Sequence, residues 1–234
     1  QNNVQGGGDM GSLPNKFPGF QDVGDPETHA KFEAVYGMEL NPNPGIHLTL
    51  MFEAMAEGKI KGAYIIGENP ADSEADVDHA RKLLAGLDIL VVQDIFMTRT
   101  AELADVVLPS SVGWAECEGT VTSSERRVQR VRAAVPAPGE CRHDHDIIGE
   151  LARRLGVDWG NPTPEELWDE LRSLSPPHQG MSWDRLEAEG GLQWPCPSID
   201  HPGSPFLHSW LWEDDLEGRD PSPFSVTEHE GPKE

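Results

Sequence analysis

The chain has 234 residues, 37% of them hydrophobic, which is enough for one large globular domain or two small ones. Its 18 basic and 41 acidic residues give a net charge of -23, which argues against nucleic acid or an anionic membrane as a partner. No apolar run approaches the roughly 18 to 20 residues that span a bilayer, and the first 15 residues lack signal-peptide features. We therefore expect a cytoplasmic protein without membrane insertion, and the acidity suggests a salt-rich cytoplasm.

Residues 1 to 25 are rich in Gly, Asn, Pro and Gln, a composition that predicts irregular structure. Apolar residues at helical spacing then predict two helices, over residues 26–36 and 46–56. Gly37 and Gly58 are placed to end these helices, because glycine adopts the left-handed backbone conformation that often follows a helix.

Three apolar runs of strand length follow, and a helical segment near residues 73–86 separates the first two. Strand, helix and strand at this spacing form a βαβ unit, and continuous apolar strands suit a parallel sheet buried on both faces. The predicted fold class is α/β: a partial doubly wound, Rossmann-like parallel sheet with helices on both faces. The three runs are "IKGAYIIG", "LDILVVQD" and "ADVVLPS".

The later part of the chain is predicted to be extended near residues 120–135 and helical over 144–156 and 163–174. Thr163 is a suitable N-cap for the last of these helices. From residue 175 the chain becomes rich in Pro, Gly, Trp and acidic residues, which predicts a loop-rich extension. A series of tryptophans could suggest carbohydrate stacking, but their irregular spacing and nearby prolines favour packing of long loops onto a neighbouring surface; they are Trp159, Trp168, Trp183, Trp194, Trp210 and Trp212. We divide the chain into an α/β region (1–160), a helical and loop-rich packing region (161–212) and a linker (213–234).

Metal chemistry is not predicted for this segment. Its three cysteines, Cys117, Cys141 and Cys196, lack Cys-x-x-Cys spacing and are odd in number, which argues against an iron–sulfur cluster or a disulfide framework. The stretch "HDHD" (143–146) opens a helix, where Asp is favoured by capping and by the helix dipole. Residues 116–127 hold carboxylates, a thiol and arginines, which we interpret as an ion-paired loop.

Polar loops follow the first two predicted strands, at the edge where open parallel sheets bind ligands. A flexible glycine and side chains that donate or accept hydrogen bonds suit a nucleotide, although ordinary turns and helix caps use the same residue types. Neither a G-x-G-x-x-G nor a P-loop motif is present. The candidate residues are Gly67, Asn69 and Ser73 in the first loop and Gln93, Asp94 and Thr98 in the second.

Four stretches carry a specific resemblance: "QNNVQGGGDMGSLPNKFPGF", "AYIIGENP", "VVQDIFMTRTAELADVVLPSSVGWAECEGTVTSSERRVQR" and "LQWPCPSIDHPGSPFLH". In this order they resemble the catalytic subunit of molybdenum- or tungsten-dependent formate dehydrogenases. The resemblance extends over nearly the whole chain.

The resemblance implies a bis(molybdopterin guanine dinucleotide) cofactor carrying Mo or W, with the six loop residues lining its guanine dinucleotide part. It places Gln1 beside the metal centre as the catalytic-site candidate of this segment. The iron–sulfur ligands and the metal-ligating residue lie upstream in the family, and residues 213–234 resemble a linker toward a C-terminal β-barrel. The implied partners are formate, the rest of the catalytic subunit and electron-transfer subunits, and the isolated segment is expected to be inactive.

Other functions remain open at this stage. A nitrate reductase and the large iron–sulfur subunit of complex I share the superfamily, although "QNNVQG" and "QDIFMT" favour formate dehydrogenase. A non-catalytic scaffold that has lost the cofactor and a free-standing nucleotide-binding module are alternatives from other classes. Turnover of formate against nitrate, and extraction of pterin and guanine nucleotide, separate these functions.

Overall fold

The computed structural model describes residues 3–207. Its helices, in chain order, are α1 (Val4–Asp9), α2 (Pro26–Tyr36), α3 (Leu48–Ala56), α4 (Pro70–Ser73), α5 (Val77–Leu84), α6 (Arg99–Glu102), α7 (Asp144–Arg154), α8 (Pro164–Leu174) and α9 (Trp183–Ala188). Its strands are β1 (Lys16–Phe17), β2 (Gln21–Asp22), β3 (Gly62–Ile66), β4 (Ile89–Asp94), β5 (Val106–Pro109), β6 (Gly119–Thr122), β7 (Arg127–Val131) and β8 (Leu192–Gln193). No helix of residues 3–207 combines the length and hydrophobicity that crossing a bilayer requires.

Strands β3, β4 and β5 form a parallel sheet in that order, which confirms the predicted α/β fold class. Alternate side chains of the strands point to one face and pack with apolar residues of α3, α4, α5 and α6. This is the first core, and its buried members are Phe52, Ala71, Ala80, Leu84, Leu90, Val92 and Ala101. The core fixes the strands in register, so the loops after β3 and β4 leave the sheet at the same edge.

The opposite face of the parallel sheet carries the other half of the alternating side chains. Tyr64 and Gln93 lie on this face, and Gln93 donates a hydrogen bond to Asp144 at the start of α7. Away from that contact, Ile89 and Val106 on the same face are exposed. Within residues 3–207, the packing of helices is therefore extensive on one face and limited to the start of α7 on the other.

A second region is built on the antiparallel sheet β6-β7-β8 and on α8 and α9. Trp168 and Trp183 are buried in its core, and the Trp168 Nε1 donates to the Met181 carbonyl at 2.6 Å. The prediction that the tryptophans serve to pack loops onto a neighbouring surface is wrong for these two, because they form the interior of this region. Trp210 and Trp212 lie outside the described residues.

The expectation of irregular structure over residues 1–25 is wrong at α1 and at the short antiparallel pair β1-β2, and the remaining described residues of that range are in turns and loops. Glycines disfavour an isolated helix, but tertiary contacts override this preference. Asn3 occupies the N-cap position of α1 with φ 61° but makes no side-chain capping bond to that helix; its Oδ1 instead accepts a hydrogen bond from the Thr122 backbone N–H at 3.0 Å. A Cβ on Gly6 would lie 2.0 Å from the Asn3 Oδ1 and 3.1 Å from the Thr122 Oγ1, so the missing side chain permits this close approach.

Local capping signals were interpreted correctly at two helices and incorrectly at a third. Gly37 ends α2 with φ 66°, and Thr163 forms a capping box with Glu166 at the start of α8. The helical segment predicted near residues 73–86 is two helices, because Glu74 has an extended backbone and Asp76 caps a new start at Val77. The proposed domain boundaries at 160 and 212 stay a prediction.

Candidate functional site

The loops after β3 and β4 meet at the carboxyl edge of the parallel sheet, where the sequence predicted a site. The Gly67 backbone N–H donates to the Gln93 carbonyl at 2.9 Å, so the first loop begins against the second strand. Asn69 and Asp94 thus follow neighbouring strands and lie at one edge. The fold does not place these two residues on opposite sides of the sheet, an arrangement that would have excluded a common ligand.

Asn69 joins the two loops through hydrogen bonds of its side chain. Its Oδ1 accepts from the Thr100 backbone N–H at 3.1 Å and from the Thr100 hydroxyl at 2.8 Å. Its Nδ2 donates to the Asp72 carboxylate at 3.0 Å, and the Thr100 hydroxyl in turn accepts from the Ala71 backbone N–H. The side chain of Asn69 therefore holds α4 against α6 and fixes the shape of both loops.

Gln93 is fully buried and connects two elements of the protein. Its Oε1 accepts from the Tyr64 hydroxyl, and its Nε2 donates to Asp144. Burial and, after it, the negative charge of Asp144 raise the pKa of Tyr64, which keeps the phenol protonated as the donor. The oxygen and the nitrogen of the Gln93 amide are therefore both hydrogen-bonded within the protein, and the side chain supports the loop that follows β4.

Asp94 and Thr98 shape the second loop. The Asp94 Oδ1 accepts from the Phe96 backbone N–H at 3.1 Å, and the Thr98 hydroxyl caps α6 by accepting from the Ala101 backbone N–H. These bonds leave the second carboxylate oxygen of Asp94 without a hydrogen bond to residues 3–207, and the residue is partly exposed. Asp94 is therefore the carboxylate of this loop that can accept from a ligand.

Gly67 and Ser73 lie on the open side of the first loop. Gly67 has φ 64°, and open space surrounds the position where a Cβ would stand, so ligand atoms can approach the backbone there. Ser73 is the last residue of α4 and is exposed; Asp76 caps the following helix, so Ser73 does not act as its cap. Gln1, the candidate beside the metal centre, lies outside the described residues.

Apolar side chains at this edge were missed by the search for polar residues. Phe96 is 72% exposed and Met97 67% exposed in the loop after β4. Ile66 at the end of β3 and Ile95 after β4 are also exposed. Exposed large apolar groups are typical of surfaces that pack against a partner or a ring system, and the run "IFM" after a strand was the signal available in the sequence.

Charged groups at the edge form an ordered network. The Asp72 carboxylate accepts from Asn69 and from the Arg81 guanidinium at 2.8 Å. These hydrogen bonds, that of Asn69 first, hold the pKa of Asp72 below its ordinary value of 3.8, and Arg81 and Arg99 add favourable charge. Arg99 has no hydrogen bond or ion pair to residues 3–207, so the guanidinium is available at this edge.

The acidic stretches hold no metal constellation within residues 3–207, where no group of three or more His, Cys, Asp or Glu side chains converges. In "HDHD", His143 shares a hydrogen bond with the Ser111 hydroxyl at 2.7 Å, and Asp144 accepts from Gln93. Burial, followed by the charges of Asp144, Asp146 and Glu118, raises the pKa of the Cys117 thiol. A protonated thiol is a poor metal ligand.

Comparison with known proteins identifies the family. Residues 2–154 match the model of the family described as "Molybdopterin oxidoreductase". The chain is 47% identical over 210 residues to the F420-dependent formate dehydrogenase subunit alpha of Methanocaldococcus jannaschii, covering 89% of this chain and 30% of that protein. It is 41% identical over 197 residues to formate dehydrogenase H of Escherichia coli, covering 84% of this chain and 27% of that protein.

Among solved structures, acetylene hydratase from Pelobacter acetylenicus matches with a TM-score of 0.51 and 28% identity, over 74% of this chain and 24% of that chain. The chain therefore spans less than a third of the length of each of these relatives. Sequence relatives named formate dehydrogenases and a solved hydratase structure both match this chain, so the fold alone does not define the reaction. The match over residues 2–154 and the collinear relatives establish that this chain belongs to the molybdopterin oxidoreductase family.

Proposed function

We propose that this chain is the part of a formate dehydrogenase catalytic subunit that binds the guanine dinucleotide portion of a bis(molybdopterin guanine dinucleotide) cofactor. The observation that carries the proposal is the junction of the loops after β3 and β4, which presents an open glycine backbone, a carboxylate and exposed apolar side chains together. Parallel sheets bind nucleotides at this edge. The cofactor would supply the redox-active Mo or W centre, and the chain would supply its position and electrostatics.

The residues of the site have distinct roles in this proposal. Gly67 would allow the nucleotide to approach the backbone, and Asp94 would accept hydrogen bonds from ribose hydroxyls or from a guanine edge. Phe96 and Met97 would pack against a ring system. Asn69, Gln93 and Thr98 would support the two loops through hydrogen bonds within the protein. Ser73 is exposed and would be able to donate a hydrogen bond to a phosphate.

Formate is the substrate we propose for the whole subunit. The relatives from Methanocaldococcus jannaschii and Escherichia coli are both named formate dehydrogenases, but only the first name mentions F420. We therefore propose formate as the substrate and make no proposal about the electron acceptor. The reaction would pass two electrons from formate to the metal centre and then to an iron–sulfur cluster held by other parts of the subunit. Gln1 is assigned to the neighbourhood of that centre by resemblance to the family.

The partners that follow are the rest of the catalytic subunit and electron-transfer subunits, with no nucleic acid and no membrane insertion by this segment. We also propose a cytoplasmic location. The three cysteines are free thiols, and free thiols are usual in a reducing compartment.

The experiment that tests the function is turnover by the full-length subunit with formate, nitrate and acetylene supplied separately, together with acid extraction of pterin and guanine nucleotide. We expect formate-dependent reduction of an artificial acceptor dye and the recovery of both cofactor components. Turnover of nitrate or acetylene, with no turnover of formate, would reject formate as the substrate. Absence of pterin and guanine nucleotide from a correctly matured protein would favour the non-catalytic scaffold.

A further inference from the structure

Arg99 differs from every other arginine in residues 3–207. Each of the others donates a hydrogen bond to the protein or pairs with a carboxylate. Arg99 is exposed and has neither kind of contact with the described residues. An exposed arginine without a protein partner is common on surfaces, because leaving a charged guanidinium in water costs little free energy. The relevant observation is therefore the position of Arg99.

That position is the junction of the two site loops. Arg99 is the first residue of α6, directly after the capping Thr98 and directly before Thr100, which bonds to Asn69. Arg99 also lies close enough to Asp72 to lower the pKa of its carboxyl. Asp72 is already bonded to Asn69 and to Arg81, however, so Arg99 stands near the carboxylate without being bonded to it.

The acidic residues near this edge disfavour an anionic ligand unless a cation is present. They run from the first loop into α5, and the whole chain has a net charge of -23; they are Glu68, Asp72, Glu74, Asp76 and Asp78. Arg81, the other arginine here, is paired with Asp72 and with Asp78. A phosphate approaching the Gly67 backbone would thus meet repulsion that the free guanidinium of Arg99 can offset.

We propose that Arg99 binds a phosphate or pyrophosphate group of the ligand held at the carboxyl edge of the β3-β4-β5 sheet. The planar guanidinium donates two parallel hydrogen bonds to phosphate oxygens, a geometry that lysine cannot reproduce. The inference deepens the proposed function and rests on it, because the anion is taken to be the diphosphate of the guanine dinucleotide. It assigns a role to a residue that was not among the six predicted from the sequence.

The test uses the full-length subunit carrying Arg99→Glu, Arg99→Lys or the control Lys82→Glu. Lys82 is an exposed cation of α5 without an ion pair in residues 3–207, so its replacement makes the same charge change outside the two site loops. Each protein is passed through gel filtration at increasing NaCl concentration, and the guanine nucleotide that remains bound per subunit is measured after acid extraction. We expect about tenfold faster loss from Arg99→Glu, corresponding to about 1.4 kcal/mol.

Arg99→Lys should lose nucleotide at a rate between those of the wild type and Arg99→Glu, because the charge is kept and the paired hydrogen bonds are lost. Lys82→Glu should match the wild type. Equal retention by Arg99→Glu and the wild type would overturn the role of Arg99 while leaving the proposed function intact. Lack of guanine nucleotide in the wild type would instead reject the proposed function. Melting temperatures of Arg99→Glu are also compared with those of the wild type, with and without cofactor. An equal fall in both states would overturn the proposal, since it would indicate that Arg99 forms an ion pair within the protein.

Discussion

The two regions of this chain differ in how far their large side chains are exposed. The region around β6-β7-β8 is closed: Trp168 and Trp183 are buried there and the Trp168 Nε1 donates to the Met181 carbonyl, although the buried Arg130 Nε and Trp194 Nε1 have no hydrogen-bond partner in residues 3–207. At the carboxyl edge of β3-β4-β5, Phe96 and Met97 are exposed, and Arg99 has no hydrogen bond or ion pair to residues 3–207. A region whose apolar and charged groups are left open beside well-bonded loops is suited to bind something, whereas the closed region provides stability.

The largest expected effect is a loss of stability in the closed region around β6-β7-β8. Trp168→Ala should lower the free energy of unfolding by about 3 to 5 kcal/mol, because it leaves a cavity and removes the donor to the Met181 carbonyl. Urea denaturation of the chain measures this loss. Trp159→Ala is the matched control: Trp159 is 55% exposed, and its replacement should change the free energy by less than about 0.5 kcal/mol. Similar losses for both variants would contradict the burial assigned to Trp168.

A smaller effect is expected at the junction of the site loops. Asn69→Ala removes the acceptor for both Thr100 donors and the donor to Asp72, and should cost about 1 to 3 kcal/mol. The same urea experiment measures it, and the full-length variant should also retain less guanine nucleotide. Asn43→Ala, in an exposed turn, is the control that should change neither quantity. Unchanged stability of Asn69→Ala would mean that the loops are not joined through this side chain.

Phe96→Ala separates stability from binding. Because Phe96 is 72% exposed, its loss should alter the free energy of unfolding by less than about 0.5 kcal/mol while accelerating nucleotide release from the full-length subunit. Phe206→Ala is a suitable comparison, since Phe206 is 77% exposed and follows β8 in the other region. If both variants retain nucleotide as well as the wild type, the apolar surface beside Asp94 does not contact the ligand.

The smallest effect concerns pH. Hydrogen bonds from Asn69 and Arg81 lower the pKa of Asp72, so its stabilising contribution is present above the ordinary value of 3.8 and is lost as the pH falls through the lowered value. Asp72→Asn should therefore melt at a lower temperature than the wild type near neutral pH, and the difference should shrink in acid. Asp88→Asn, which alters an exposed carboxylate without an ion pair in residues 3–207, should show no such convergence. A constant difference at all pH values would exclude the linkage.

Local signals in the sequence were sufficient for much of the fold. Gly37 and Thr163 act within a few residues of the helix ends that they define, and the three apolar runs are the three strands of the parallel sheet. Helix α1 could not be predicted in this way, because its glycine-rich sequence is supported by Thr122, far along the chain. The two buried tryptophans of the second core likewise depend on contacts between distant segments.

The edge at which the candidate residues meet could be predicted from the sequence, whereas the binding site itself stays a prediction. Parallel strands bring their ends to one edge, so the position of Asn69 and Asp94 follows from the βαβ pattern. Whether a polar side chain faces a ligand or bonds within the protein depends on burial, and a buried amide such as that of Gln93 must find partners. The exposure of Phe96 and the lack of an ion pair between Arg99 and residues 3–207 are properties of the folded surface, which no spacing in the sequence encodes.

The most direct test of the account is a high-resolution structure of the full-length subunit with its natural cofactor. The account predicts a guanine dinucleotide at the carboxyl edge of β3-β4-β5, with hydrogen-bonding distances of about 2.7 to 3.2 Å to Asp94 and to the backbone near Gly67. A nucleotide bound elsewhere in the subunit, with this edge covered only by protein, would contradict it.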